Sequence, residues 1–516
     1  MTTSNEAAGA RDVEKDVVRP PHVPETAPDL TKRVQEQSDS QDESETPIAI
    51  PTTTRYKVYK RRFIGLAQLV LLNIVVSWDW LTFSAVSTTS AEYFKVSEGA
   101  INWMSTGYLF AFCAATPIVM YTLNKGGPKP AITATSVLIL VGNWIRYAST
   151  KAHGGIFGLA VFGQILIGFA QPFCLSAPTR YSDLWFSDRG RTSATALATL
   201  ANPLGAALGQ LVDSFWASTA SEVPDMVLYI SIISSIASIP SIFLPAAPPT
   251  PPSASSLAPK TPLVKATIKL IRTLEFWLIF IPFSIYVGFF NSVSSLLNQI
   301  LAPHGFSETD AGIAGGILII VGLVASAVVS PITDRFKHYL GTIKALVPVV
   351  AASYIGFIFA PSTSTGSIAP TFVVAALLGA SSFSLLPVTL EYLVEITYPF
   401  SPEVGSTLCW TGGQLLGAIF IIVQDALKAG PDASPPYHMR NALIFSAVIA
   451  AAVVPLPLSL GLFGREVKRR RLLADRGEIE SGGTATAAAA TESATSPPPP
   501  PPAAVTADID SKQMAR

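Results

Sequence analysis

The chain has 516 residues, 49 % of them hydrophobic and only 14 % charged. A soluble domain carries about a quarter charged residues, so the composition argues against a soluble enzyme of this size. Basic and acidic side chains are equal in number, 35 each. There is thus no basic excess of the kind nucleic-acid binding needs.

In chain order, residues 1–60 are polar, rich in Glu, Ser, Thr and Pro, and almost free of aromatics. They cannot bury enough apolar surface to offset the entropy of ordering, and a disordered cytoplasmic tail is expected. A bilayer core of about 30 Å takes about 20 apolar residues per helix. On that measure six spans follow, at 63–88, 103–123, 129–149, 156–179, 190–214 and 226–246. They make a first lobe over 61–246. A polar, proline-rich stretch at 247–273 reads as a cytoplasmic linker. Six more spans, at 274–300, 308–332, 341–361, 368–392, 404–427 and 439–464, make a second lobe over 274–465. Residues 466–516 hold an Ala/Thr/Ser tract and six prolines, Pro497 to Pro502, and read as a second disordered cytoplasmic tail. Its prolines are candidate ligands for proline-motif binders. The predicted fold class is therefore an all-α integral membrane protein with twelve transmembrane helices in two six-helix lobes. Two such halves around a hydrophilic linker are the layout of a secondary transporter.

Lys and Arg set the orientation. With the N-terminus inside, twenty-three flank the inner side and five, including Arg146, fall on the outer side, the distal tails left out. Both termini and the linker are then cytoplasmic, and a plasma-membrane location is expected. The chain lacks a phosphate-binding P-loop, a dinucleotide fingerprint, HExxH, CxxC and GxSxG. Cys113, Cys174 and Cys409 fit neither a zinc site nor a disulfide framework. No catalytic residue, metal or cofactor is predicted.

Within the spans, polar side chains are the candidates for function. Asp79 lies near the middle of span 1, in LLNIVVSWDWLTFSAVS. A carboxylate at that depth is costly, and it faces either water and a solute or a structural partner such as Arg146. Trp78 and Trp80 flank it, about 200° apart on a helix, so at most one of them faces a cavity squarely. Gln171 in span 4 and Gln414 in span 11 need hydrogen-bonding partners, from a neighbouring helix or a substrate. Asn291, Asn298 and Gln299 form a run of amides on span 7, and a wetted wall is expected there. Asn73, Asn143 and Asn202 read as helix-to-helix bonds. Gly205 and Gly209 in span 5 form a small-xxx-small pair that favours close packing. Charged residues near the inner ends of spans are candidate gates: Arg180 after span 4, Asp334 and Arg335 after span 8, and Glu391 and Glu395 at the end of span 10.

Several stretches resemble the major facilitator superfamily, and within it the feline leukaemia virus subgroup C receptor-related family. These are the span-1 segment ending at Trp80, INWMSTGYLFAF from Ile101, GNWIRYA from Gly142, GQILIGFAQPFCLSAPTR from Gly163 and LANPLGAALG from Leu200. In the second lobe they are NSVSSLLNQIL from Asn291, EYLVEITYP from Glu391 and GQLLG from Gly413. The resemblance implies a carrier for choline and ethanolamine, with haem export also ascribed to the family. It implies a site that uses Trp80, Gln171 and Gln414. The family's second aromatic, on span 7, falls on Asn291 here, with Tyr286, Phe289 and Phe290 beside it. The expected function is transport of a small amine-type solute by alternating access, touching Trp80, Asp79, Gln171, Asn291 and Gln414. A haem or other organic-solute exporter is the alternative. A receptor or sensor that binds solute without moving it is the alternative of another class.

Overall fold

The computed structural model describes residues 58–461 except 153, 187, 251–262, 337, 362–366 and 398–401. Nearly all of the two predicted tails, with the C-terminal proline tract, and residues 251–262 of the linker lie outside the described residues, as does the side chain of Asp334.

Among the described residues every regular element is helical. Span 1 is Arg62–Leu81, span 2 Glu98–Gly126, span 3 Pro128–Lys151, span 4 Phe157–Trp185, span 5 Asp188–Trp216 and span 6 Val223–Ser238. Span 7 is Leu274–Leu301, span 8 Glu308–Phe336, span 9 Tyr339–Phe359, span 10 Ala369–Thr397, span 11 Pro402–Ala426 and span 12 Arg440–Ala452. Eleven helical stretches among the described residues are long and apolar enough to cross a membrane. The twelfth, span 5, is 29 residues long, about 43 Å at 1.5 Å per residue. Its Gly, Ala, Thr and Asn residues make it less apolar because so much of it faces other helices, not lipid.

The structure departs from the expected spans in three places. The apolar run 63–88 is not one helix. It stops at Leu81, turns through buried Thr82–Val86 and resumes as the short helix Ser87–Phe94. Span 12 ends early because Pro455 and Pro457 interrupt the α-helix, and Pro455–Ser459 continues as a separate short helix. The predicted linker contains a helix, Leu263–Ile271, whose sequence LVKATIKLI repeats apolar residues with a helical period.

The packing repeats from one half to the other. Span 1 lies against 5, 2 against 4, 3 against 4 and 3 against 6. In the second half 7 lies against 11, 8 against 10, 9 against 10 and 9 against 12. Between the lobes, span 5 packs on span 8 and span 2 on span 11. Small residues permit the closest crossings. A Cβ on Gly205 would overlap the carbonyl of Ile74 in span 1, and one on Gly209 would lie 3.1 Å from that of Trp78. Gly379 meets Leu318 in the same way in the second lobe.

Spans 1 and 12 place residues 62 and 461 toward one side of the bundle, here the termini side. On the opposite, far side, polar bonds join the lobes. Lys428 pairs with Glu98. Asn102 donates to Asp425 at 2.9 Å and accepts from Gln299 at 2.7 Å. Asn298 donates to Ser87 at 2.9 Å, and the Thr88 backbone N–H donates to Glu308 at 2.8 Å. Two of the three span-7 amides therefore hold the lobes together in this conformation instead of lining water.

Candidate substrate site between the lobes

A cavity of about 330 Å³ lies between the lobes, within the range usual for small-molecule sites. Its lining comes from the middle of the bundle and from the termini-side halves of spans 5, 7, 8, 9 and 10. The far-side halves are closed by the polar contacts above. The cavity is thus reached from the termini side.

At its inner end the wall is aromatic. Trp80 lines it from span 1, with Phe290 from span 7 and Phe383 from span 10. The Trp80 and Phe290 ring centroids are 6.5 Å apart and tilted by 55°. Phe290 meets Phe383 edge-on at 5.2 Å. Behind Trp80, Tyr108 stacks at 6.4 Å and is fixed by donating its hydroxyl to the Val76 carbonyl at 2.8 Å. The helix phase settles the choice between the two tryptophans. Trp78 points the other way, stacks on Trp216 at 5.8 Å and donates to Asp213 at 2.8 Å.

Three predicted amides share the cavity. Gln171, Asn291 and Gln414 all line it, and each is buried. Asn291 donates to the Gln414 side-chain oxygen at 2.9 Å. That bond joins spans 7 and 11 within the second lobe. The Gln171 Oε1 and the Trp80 indole N–H have no hydrogen-bond partner among the described residues. An acceptor and a donor are therefore free beside the aromatic wall.

Asp79 does not line the cavity. It is fully buried inside the first lobe, 3.5 Å from the Arg146 guanidinium, and accepts from Asn143 at 2.8 Å. Arg146 and Gln164 also donate to the Asp79 backbone carbonyl, at 3.2 and 3.0 Å. Gln164 bonds the Trp80 carbonyl too, at 3.2 Å. The structure thus realises the structural-partner alternative for Asp79 and ties it to the helix turn that presents Trp80. Arg146, counted from sequence as an outer-side flank, is fully buried.

The candidate gating residues lie at the termini-side ends of spans 4, 8 and 10. Arg180 pairs with Asp183 one turn along its own helix at 3.3 Å. Arg335 is exposed at the end of span 8. Glu391 is exposed and Glu395 buried, on successive turns of span 10.

Sequence reasoning missed Phe383 and Trp410, which line the cavity from spans 10 and 11, and the buried Asp213. The first two read as ordinary lipid-facing or core aromatics, because which face of span 10 or 11 meets the other lobe is a tertiary fact. Asp213 did carry a signal, being a carboxyl inside an expected span.

Residues 69–421 match the family model described as the Major Facilitator Superfamily. Solute carrier family 49 member A3 of Danio rerio is 30 % identical, over 75 % of this chain and 82 % of its own length. The choline/ethanolamine transporter FLVCR1 of Felis catus is also 30 % identical, over 79 % of this chain and 76 % of its own. Among solved structures, the xylose transporter XylE from E. coli superposes with a TM-score of 0.60 at 13 % identity, over 80 % of this chain and 99 % of XylE. A bacterial homologue of the human lysosomal transporter Spinster gives 0.58 at 16 % identity, over 78 % of this chain and 97 % of its own. The two structures share the fold. The family model, the two relatives and the aromatic cavity between paired lobes lead to one conclusion: the chain is a multi-pass membrane transporter of the major facilitator superfamily, belonging to the family that holds the feline leukaemia virus subgroup C receptor-related transporters.

Proposed function

We propose that this transporter carries a small amine-type solute of the choline or ethanolamine class by alternating access. The observation that carries the reading is the Trp80–Phe290 pair, two aromatic faces from opposite lobes 6.5 Å apart. An ammonium lodged against both rings, in the angle their 55° tilt opens, gains about 0.5–2 kcal/mol from each face in a desolvated site. Phe290 takes over the aromatic role that the family resemblance placed at the position of Asn291. Gln171, Asn291 and Gln414 then offer hydrogen bonds to the hydroxyl that both solutes carry. Asp79 acts one step behind, holding with Arg146 and Gln164 the turn that aims Trp80. The names of the similar transporters agree with this substrate class.

A solute that touches both lobes draws them together, and near-rigid rocking then opens the far side. In our reading Arg180, Asp334, Arg335, Glu391 and Glu395 supply the closure on the termini side. The excess of Lys and Arg at that side supports cytoplasmic termini. The cavity described here then faces the cytoplasm of a cell whose plasma membrane holds the protein.

The test is uptake and efflux of radiolabelled choline and ethanolamine in cells expressing the chain at their surface. Saturable flux whose apparent affinity falls about 2- to 30-fold in both Trp80→Ala and Phe290→Ala supports the site. Flux of neither solute, in either direction, removes this substrate class.

A further inference from the structure

Among the described residues the first lobe fully buries three acidic or basic side chains whose charges do not balance. Asp79, Arg146 and Asp213 come from spans 1, 3 and 5, and each has 0 % of its surface exposed. Arg146 is paired with Asp79, at 3.5 Å. Asp213 has no ion pair of its own among the described residues. One of its oxygens accepts from the Trp78 indole N–H at 2.8 Å, and the other, Oδ2, has no hydrogen-bond partner. The other titratable groups of this cluster are Tyr108 on span 2, whose hydroxyl is committed to the Val76 carbonyl, and Cys174 on span 4. Neither supplies a positive charge. With both carboxylates ionised, the lobe would hold an uncompensated negative charge in a site closed to water. Such a charge is neutralised by taking up a proton.

We propose that Asp213 forms a one-proton binding site in the first lobe and carries the proton in this conformation, the Arg146 guanidinium being taken up by Asp79. Asp79 keeps the ion pair, because it has both the guanidinium contact and the Asn143 hydrogen bond. Asp213 is left as a neutral acid, with its carbonyl oxygen facing Trp78 and its hydroxyl on the unpartnered side.

The location links the proton to movement. Asp213 lies near the far end of span 5, between two residues that touch the second lobe. Gln210 donates to the Ser294 carbonyl at 2.6 Å, and Ser214 accepts from Thr309 at 3.4 Å through its own carbonyl. Parting the lobes on the far side breaks these contacts and admits water beside Asp213. The O–H bond then breaks, the proton passes to water on the far side, and the carboxylate keeps the electron pair. Closing the far side takes a proton back. This proposal does not depend on the identity of the transported solute.

The test is infrared spectroscopy of the purified full chain in lipid nanodiscs at neutral pH, in buffers with and without sodium. A buried protonated carboxyl gives its own carbonyl band. The expected result is a band in the wild type that disappears in Asp213→Asn, with the thermal midpoint kept, since the amide replaces a neutral acid of the same shape. An unchanged spectrum in Asp213→Asn means that Asp213 is ionised, bare or holding a cation, and overturns the proposal. So does a variant that loses its fold while Asp213→Glu restores neither fold nor band. In proteoliposomes, ethanolamine flux should respond to an imposed pH gradient in the wild type and lose that response in Asp213→Asn. A wild-type flux indifferent to the gradient overturns the link to transport. Absence of both choline and ethanolamine flux with the band intact defeats the substrate reading and leaves the proton site standing.

Discussion

Trp80 and Phe290 meet across the lobe boundary, and they occupy spans 1 and 7, the equivalent first helices of the two halves. Each ring is braced from behind, Trp80 by Tyr108 and Phe290 by Phe383. A rigid pair of faces loses little entropy when a cation settles against them.

Removing either face should weaken a quaternary ammonium ligand by about 2- to 30-fold, the equivalent of about 0.5–2 kcal/mol. Phe290→Tyr should retain affinity, and Phe290→Ala should lose it. Choline binding to purified protein, read by calorimetry or thermal shift, measures both. Equal affinity in the wild type and Phe290→Ala would place the cation elsewhere.

Asn291 donates to the Gln414 side-chain oxygen at 2.9 Å inside the cavity wall. Gln414→Ala leaves the Asn291 amide without that acceptor, which costs about 1–3 kcal/mol. The expected outcome is a KM raised about 5- to 160-fold, with surface expression near normal. Restoring the acceptor with Gln414→Glu should recover part of the loss. If KM does not move in Gln414→Ala, the solute does not use this wall.

Arg146 is buried against Asp79 with no exposed surface. Deleting one partner of a buried ion pair costs about 3–5 kcal/mol in soluble proteins. Arg146→Ala should therefore reduce the folded, surface-delivered fraction severely. Arg146→Lys should rescue only part of it, because a single ammonium cannot bond both the Asp79 carboxylate and its backbone carbonyl. Size-exclusion profiles of detergent-extracted protein would show the ranking.

Lys428 and Glu98 close the far side beside the Asn102–Asp425 bond. The ion pair is partly solvated, so its loss alone is worth about 0.2–1 kcal/mol. Glu98→Gln should shift the lobes modestly toward the far-open state, and Glu98→Gln with Asn102→Ala should shift them further. A cysteine introduced at Ser294 would become measurably more reactive from the far side in the double variant. Unchanged reactivity would show that closure rests on the helix packing of spans 5 and 8.

Gly205 lies against the Ile74 backbone where a side chain has no room. Gly205→Leu should abolish folding into the membrane, and Gly205→Ala should lower the yield of folded protein. An Ala variant with wild-type yield would mean that span 1 yields easily at this crossing.

Much of the fold was legible because its signals are local. A helix of about 20 apolar residues announces itself, and Lys and Arg mark one side. The break after Leu81 was not legible, since Thr82–Val86 is as apolar as a helix and only its packing forces the turn. The site was legible in part. Trp80, Gln171, Asn291 and Gln414 stand out as polar or amphipathic groups in apolar runs, and all four line the cavity. Asp79 stood out for the same reason and turns inward, because a carboxylate without water goes to the nearest guanidinium. Asn298 and Gln299 stood out too, and they bind the opposite lobe at the far side.

The sequence by itself determined the number of spans, their grouping into two halves and the set of polar side chains that must find partners inside them. Apolar length and charge placement are properties of the chain, and the bilayer enforces them at every helix. Only the tertiary structure decided which partner each polar group takes. That choice depends on which faces meet when spans from distant parts of the chain pack: Trp80 beside Phe290, Asp79 beside Arg146, Trp78 beside Asp213. A rotation of one helix by half a turn would exchange those partners without changing a single residue.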